Sequence, residues 1–215
     1  SSAASDVYKR QRKYGRIKMR DALCYSCNVY FAGIAEELFD PGHMMKAYET
    51  FGFGRETGVR WSDDGTRFGL RDDHGVGDAR FKDPGPETRQ FLGNGLTYIN
   101  ATPVQVARAY AGLATGHLPT MTLVREVKGE EIPRTTTALP ISKENLDLVR
   151  GAVRQVLKDP GSSAHGKGLS ASAEDLGFEF TCKTGSADYR KEEVLRNGVE
   201  REVQRKHTWV SGWFP

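Results

Sequence analysis

The stretch FTCKTGSADYR, residues 180–190, places a lysine, two hydroxyl side chains and a glycine next to one another. These residues are Lys183, Thr184, Gly185 and Ser186. A cation flanked by hydroxyl donors can bind a carboxylate, because the anion then accepts a charge-assisted hydrogen bond together with neutral ones. The same letters also fit the end of an ordinary strand, so the tripeptide K-T-G alone leaves both interpretations open.

The residues before this lysine alternate between apolar and polar. Phe178, Phe180 and Cys182 are separated by single polar residues, and successive side chains of a strand point to opposite faces. The three apolar side chains therefore share one face, which we expect to be the core. Lys183 points the other way, where a ligand can reach it.

A second group of chemically capable residues is ALCYSCNVYF, residues 22–31, which contains Ser26 and Asn28. Its cysteines form a C-x-x-C, which can be a redox pair or part of a zinc site. A redox pair needs a strand-to-helix setting, whereas this pair lies in a helical segment, and no second C-x-x-C exists. We predict that Cys24, Cys27 and Cys182 are buried or half-buried thiols.

A long polar segment spans residues 55–95. It is rich in Gly, Asp and Arg and shows no helical or strand periodicity, so we predict a surface loop that is either functional or disordered. His74 lies within it beside Asp72 and Asp73. Without a second His or Cys nearby, a solvated loop is favoured over a metal site.

The composition is that of a soluble globular domain and excludes several classes of protein. The 215 residues are 38% hydrophobic and 27% charged, with a net charge of +3, and no apolar run reaches the ~20 residues of a membrane helix. Residues 9–20 hold seven Lys or Arg and no acid. We predict that residues 1–14 form a disordered basic arm rather than a nucleic-acid site. The chain starts without Met, and both ends look cut.

Periodicity predicts four helical segments. The first runs from Met19 to Leu38 around a polar interruption, with Asp40-Pro41-Gly42 ending it. The others are Met44–Phe51, a helix capped by Thr102 and closed by Gly116, and Ser142–Leu157. In three of these segments the apolar residues are predicted to form a stripe on one helix face. The stripes are Val29, Ala32, Ala35 and Leu38; Val106, Tyr110, Leu113 and Ala114; and Leu146, Val149, Val153, Val156 and Leu157.

Two further strand regions are predicted besides the one before Lys183. The segment Thr120–Val127 has a strand-like pattern. Asn197-Gly198 predicts a tight hairpin turn. The sequence HTWVSGWF, residues 207–214, then forms a second strand antiparallel to the first.

The two short motifs and their surroundings resemble a known family. An S-x-N at 26–28 is followed far downstream by K-T-G at 183–185, an order found in serine acyl-transferases that act on D-Ala-D-Ala. With FGFGRETG, GNGLTYINATPVQVARAYAGLATG and HTWVSGWFP, they resemble the transpeptidase domain of class B penicillin-binding proteins of the cell-elongation, rod-shape type. The resemblance implies an α/β (α+β) fold of the penicillin-binding and serine β-lactamase type.

The resemblance also implies roles for the residues of the two motifs. Ser26 would join the proton relay between the catalytic lysine and the leaving amine. Asn28 would bind the substrate's amide carbonyl and help hold that catalytic lysine. Lys183 would support the relay and offset the charge of the substrate's carboxylate.

The implied substrate-binding residues follow Lys183 on the same strand. The hydroxyls of Thr184 and Ser186 would bind the terminal carboxylate of the substrate or that of a β-lactam. Gly185 would let the strand lie close against the substrate backbone, as in strand addition.

One motif of the family is missing. Its nucleophile lies in S-x-x-K, and no serine here has a lysine three positions on. Residues 1–215 would thus be a partial domain, a helical subdomain and part of an antiparallel sheet, without the nucleophile segment, the final strand and the C-terminal helix. Such a fragment would be inactive alone.

The implied partners are those of cell-wall synthesis. They are the D-Ala-D-Ala stem peptide of peptidoglycan, β-lactam antibiotics and membrane-embedded synthesis proteins, at the periplasmic face of the inner membrane. We expect no cofactor, no metal ion and no nucleic acid. A serine β-lactamase or β-lactam sensor, and a non-catalytic binding module on the same fold, are the alternatives.

Overall fold

The computed structural model describes residues 15–38, 40–55, 57, 59, 85–96, 99, 101–162, 164–165, 175, 177, 180–196 and 199–214. The arm at 1–14, most of the polar segment with His74, the side chain of Phe178 and the turn at 197–198 lie outside these residues. The described helices are α1 (Met19–Cys24), α2 (Asn28–Glu37), α3 (Pro41–Thr50), α4 (Pro86–Gly93), α5 (Pro103–Thr115) and α6 (Lys143–Lys158).

The strands form three antiparallel pairs. The described strands are β1 (His117–Pro119), β2 (Glu126–Val127), β3 (Glu130–Glu131), β4 (Thr136–Ala138), β5 (Thr181–Arg196) and β6 (Val199–Trp213). β1 pairs with β4, β2 with β3, and β5 with β6. Helices and antiparallel strands together confirm the predicted α+β class.

The first predicted helix is two helices, α1 and α2, separated by the turn that carries Ser26. On α2, Ala32 and Ala35 are each only 2% exposed. Val29 and Leu38, at the ends of the predicted stripe, are 48% and 72% exposed. Only the middle of α2 therefore packs into the core.

Asp40 begins a helix rather than ending one, which corrects the prediction. Its carboxylate accepts a hydrogen bond of 3.0 Å from the backbone N–H of His43, and Pro41 occupies the first turn of α3. An N-terminal aspartate followed by proline is a favourable helix start. α3 thus begins three residues before the predicted Met44.

The polar segment contains a helix, α4, so the expectation of a loop throughout residues 55–95 is wrong at Pro86–Gly93. Leu92 is its buried residue, which explains the weak periodicity of this stretch. α4 packs closely on α2, since a Cβ on Gly93 would lie 2.5 Å from that of Ala35. Arg89 donates to the carbonyl of Glu36 at 3.2 Å.

The ends of α5 agree with the prediction, but its buried face differs. Thr102 and Gln105 form a capping box, and Gly116 closes the helix at φ 82°. The buried residues are Gln105, Ala109 and Gly112, whereas the predicted stripe is half-buried. Small residues let β1 approach, because a Cβ on Gly112 would lie 3.1 Å from a methyl of Leu118.

The strand expected at Thr120–Val127 is mostly absent. β1 ends at Pro119, and β2 comprises only Glu126 and Val127. Most of this segment is exposed, so little apolar burial favours a longer strand.

α6 supports the strand that carries Lys183. Ser142 caps it through a 3.2 Å hydrogen bond from the N–H of Asn145, as predicted. Its buried side chains are Leu146, Ala152, Val153, Val156 and Leu157. Val156 and Leu157 form a core cluster with Ala164 and Cys182, against which Phe180 packs. Each buried aliphatic side chain stabilises the fold by about 1.5–3 kcal/mol.

β5 and β6 form a long antiparallel ribbon, which confirms the predicted pairing of the two strands. Cys182 pairs with Gly212, Lys183 with Ser211 and Gly185 with Trp209. Cys182 is fully buried, so Lys183 lies on the opposite face, as alternation predicts. The core cluster formed with α6 therefore lies on the face of β5 opposite Lys183.

We predict that Gly212→Ala lowers the free energy of unfolding by about 3 kcal/mol, because the added methyl overpacks the ribbon. An ideal Cβ there would lie 2.0 Å from the carbonyl oxygen of Thr181. Gly151→Ala is the control: no atom would lie within 4 Å of its Cβ, and alanine favours a helix by ~1 kcal/mol. Urea unfolding measures both, and equal stability of the two variants would contradict the packing at Gly212.

Candidate active site

Ser26 lies in the turn that ends α1. The N–H of Cys27 donates to the carbonyl of Ala22 at 2.8 Å, and that of Ser26 to the carbonyl of Leu23 at 3.3 Å. These two bonds are the pattern of a Schellman motif, whose left-handed position is usually a glycine. Ser26 occupies that position with φ 55°.

The left-handed conformation disfavours any residue with a Cβ. For an L-residue other than glycine it costs roughly 1–2 kcal/mol. A strained residue at such a position is a typical feature of functional sites. Serine, unlike glycine, also places a hydroxyl at this turn.

Lys183 supplies the partner of that hydroxyl. Its Nζ donates a hydrogen bond to Ser26 Oγ, across 157 residues of sequence. The same ammonium donates to the backbone carbonyl of Thr184 at 2.9 Å. Both Ser26 and Lys183 are half-buried. The structure thus brings the S-x-N and K-T-G motifs into direct contact.

Asn28 is the first residue of α2 and follows Ser26 by two positions. Its side chain is half-buried. The turn and the helix start therefore place Asn28 two residues from Ser26, and its contacts with substrate stay predictions.

Thr184, Gly185 and Ser186 continue β5 beyond Lys183. Thr184 is half-buried, and Gly185 and Ser186 are exposed. In the part of the chain that the structure describes, β5 pairs with β6, and no described strand pairs with its other edge, which we call the open edge. Alternation puts Thr184 and Ser186 on one face and Lys183 on the other, so one ligand can contact all three side chains only by lying along this edge.

Gly185 leaves space above the strand. A Cβ there would meet only Trp209, at an ordinary 3.7 Å. An extended ligand can lie against the backbone at this point, because no side chain of residue 185 intervenes.

Two residues that we did not single out in the sequence tie the Ser26 turn to α6. The hydroxyl of Tyr25 donates to Asp159 Oδ2 at 3.1 Å. This hydrogen bond raises the pKa of the Tyr25 hydroxyl. Asp159 Oδ1 accepts from the N–H of Gly161 at 2.7 Å. Asp159 is the residue that caps the C-terminus of α6.

The three cysteines are free and buried, which confirms the predicted buried thiols. Burial raises the pKa of Cys24 to about 11 and also raises that of Cys182. Reactive C-x-x-C cysteines lie at helix N-termini, whereas Cys24 is the last residue of α1. The Cys24 and Cys182 thiols are therefore poor nucleophiles at neutral pH.

The arrangement combines a serine hydroxyl, which accepts a hydrogen bond from an ammonium, with a positively charged strand edge. An ammonium that donates to a serine oxygen leaves the serine's own proton free to pass to a third group. The positive charge of Lys183, beside exposed backbone, also favours a carboxylate. The half-buried setting strengthens both effects, because solvent screens the charge less.

None of the helices that the structure describes is long and apolar enough to cross a membrane.

Several known proteins are similar to this chain. PBP2 of Helicobacter pylori, in complex with MreC, shares 22% identity and superposes with a TM-score of 0.68 over 92% of this chain and 33% of that chain. PBP2 of Pseudomonas aeruginosa, in complex with WCK 5153, shares 24% identity and superposes with a TM-score of 0.62 over 82% of this chain and 38% of that chain. The D,D-transpeptidase domain of peptidoglycan glycosyltransferase from Eggerthella lenta shares 20% identity and superposes with a TM-score of 0.66 over 95% of this chain and 46% of that chain.

These solved structures establish the fold, and the chain spans about a third to a half of their length. A search of the curated proteins gave no match. The family model described as penicillin binding protein transpeptidase domain matches residues 2–215. With nearly every residue covered, this chain belongs to the family of penicillin-binding protein transpeptidase domains.

Proposed function

We propose that this chain is the substrate-binding part of a D,D-transpeptidase, within a longer class B penicillin-binding protein of the cell-elongation type. We call that longer protein the parent protein. It cross-links peptidoglycan stem peptides through an acyl-serine intermediate. The observation that carries the proposal is the hydrogen bond from Lys183 Nζ to Ser26 Oγ, which joins two family motifs into one site.

The reaction begins with a serine that residues 1–215 do not supply, since no S-x-x-K is present. Its oxygen attacks the carbonyl of the penultimate D-Ala, and the bond to the terminal D-Ala breaks. An ester forms, and the terminal D-Ala leaves as an amine that needs a proton. The amine of a second stem peptide then attacks the ester, which restores the serine and forms the cross-link.

The catalytic lysine of the missing motif takes the proton of the attacking serine and passes a proton to Ser26, while Ser26 gives its own proton to the leaving amine. The Ser26 hydroxyl accepts a hydrogen bond from Lys183, so its own proton points to another acceptor. The positive charge of Lys183 also stabilises the serine oxygen while the proton moves. Asn28 binds the amide carbonyl of the substrate and orients the catalytic lysine of the missing motif.

The open edge of β5 binds the substrate. Lys183 offsets the charge of the terminal carboxylate, and the hydroxyls of Thr184 and Ser186 donate hydrogen bonds to it. The peptide backbone pairs with the strand at Gly185, where no side chain blocks the approach. A β-lactam, which carries a similarly placed carboxylate, binds in the same manner.

The parent protein acts at the periplasmic face of the inner membrane with membrane-embedded cell-wall synthesis proteins. Support comes from similar structures, which include PBP2 of Helicobacter pylori in complex with MreC and a peptidoglycan synthase complex. No nucleic acid takes part. Residues 1–215 alone form no acyl-enzyme, because their site binds and protonates but holds no activated nucleophile.

The proposal is tested by incubating the purified parent protein with peptidoglycan chains that carry pentapeptide stems. We expect cross-linked dimers and one released D-Ala per cross-link, both abolished by penicillin. Release of D-Ala without cross-links would indicate a carboxypeptidase. Rapid turnover of penicillin would indicate a β-lactamase, and either result would contradict the proposed activity.

A further inference from the structure

Tyr25 is the residue immediately before Ser26, and it contacts the far end of α6. Its hydroxyl donates to Asp159 Oδ2 at 3.1 Å, across 134 residues of sequence. Its ring also lies close to the backbone of the next turn, since a Cβ on Gly161 would be 3.0 Å from Tyr25 Cε1. The turn that carries Ser26 is thereby fixed to a second element.

Asp159 makes hydrogen bonds through both its backbone and its side chain. Its N–H donates to the carbonyl of Gln155 at 2.8 Å, and its carbonyl accepts from the N–H of Ser162 at 3.0 Å. Its Oδ1 accepts from the N–H of Gly161 at 2.7 Å. Ser162 is buried and donates from Oγ to the carbonyl of Val156. The acceptor for Tyr25 is therefore part of a rigid turn.

The same helix also supports Lys183. Val156 and Leu157 of α6 pack against Cys182, which directly precedes Lys183 on β5. One end of α6 thus carries both contacts: apolar packing beneath the lysine strand and a hydrogen bond to the residue before the serine. α6 therefore contacts both the strand that carries Lys183 and the turn that carries Ser26.

We propose that Tyr25 and Asp159 are positioning residues that hold Ser26 in its left-handed conformation, within hydrogen-bond reach of Lys183. This inference rests on the proposed function, because its benefit is to proton transfer through Ser26. The conformation is one that serine disfavours, so the contact of Tyr25 with Asp159 adds to the two backbone hydrogen bonds of the turn in keeping the hydroxyl aimed at the ammonium. A small displacement of a positioned group is enough to slow such a reaction strongly.

The test is the kinetics of penicillin acylation in the parent protein, with binding and chemistry measured separately. Tyr25→Phe keeps the ring against Gly161 and removes only the hydrogen bond. We expect the acylation rate constant to fall about tenfold, with an unchanged dissociation constant for the non-covalent complex. Tyr30→Phe, which removes a hydroxyl from the neighbouring helix α2, is the matched control and should react at the original rate.

A second background separates positioning from stability. In a Ser26→Ala protein, Tyr25→Phe should cause no further loss, because the group that it positions is gone. Equal losses in both backgrounds, or an unchanged rate for Tyr25→Phe, would overturn the positioning role while leaving the proposed function intact. No acylation of the unmodified parent protein would overturn the proposed function and the positioning role with it.

Discussion

Lys183→Ala in the parent protein is expected to lower the second-order rate constant of penicillin acylation by about 10³-fold. The variant removes the ammonium that donates to Ser26 Oγ and the positive charge at the open edge of β5. Each charge-assisted hydrogen bond contributes about 1.5–3 kcal/mol, and two of them together give a factor of this size. The affinity for the carboxylate and the rate of the chemical step should both decrease.

Lys191→Ala is the matched control on the same strand. Lys191 lies farther along β5 and pairs with Glu202 at 2.7 Å, and both side chains are largely exposed. Its removal should leave acylation unchanged and stability within about 1 kcal/mol of the original. Equal acylation by the Lys183→Ala and unmodified proteins would contradict the role of Lys183.

Ser26→Gly is expected to slow acylation by about 100-fold and, at the same time, to be more stable than Ser26→Ala. The activity falls because the proton donor is lost. The glycine variant should exceed the alanine variant in stability by about 1 kcal/mol, because both lose the hydrogen bond from Lys183 and only glycine adopts the left-handed conformation without the penalty that a Cβ brings. Acylation kinetics and urea unfolding of the same protein samples measure the two effects.

Ser26→Ala separates the hydroxyl from the backbone. Alanine also lacks the proton donor, so its acylation should be as slow as that of the glycine variant. It retains the Cβ at φ 55° and should gain no stability. A Ser26→Gly protein less stable than Ser26→Ala would show that the turn does not hold residue 26 in the left-handed region.

The sequence correctly predicted those features of the fold that depend on a single physical rule. Alternation placed Lys183 opposite Cys182, and Cys182 is fully buried. Capping chemistry located the start of α5 at Thr102 and of α6 at Ser142. Asp-Pro-Gly at 40–42 was ambiguous, because the same residues can stop one helix or start another, and here they start α3.

The contacts between distant residues were not readable from spacing. The hydrogen bond between Lys183 and Ser26 joins residues 157 positions apart, and only the family resemblance suggested that the two meet. The left-handed turn at Ser26 depends on carbonyls of α1, not on a residue type that favours it. Tyr25 and Asp159 carry no motif, so their pairing appears only in three dimensions.

The central claim is that this chain binds and protonates the substrate while another segment of the parent protein attacks it. Mapping the penicillin adduct on the parent protein by peptide mass spectrometry tests this most directly. We predict a single adduct, on a serine outside residues 1–215 and followed three positions later by lysine. An adduct on Ser26, Ser186 or any other residue of this chain would contradict the account.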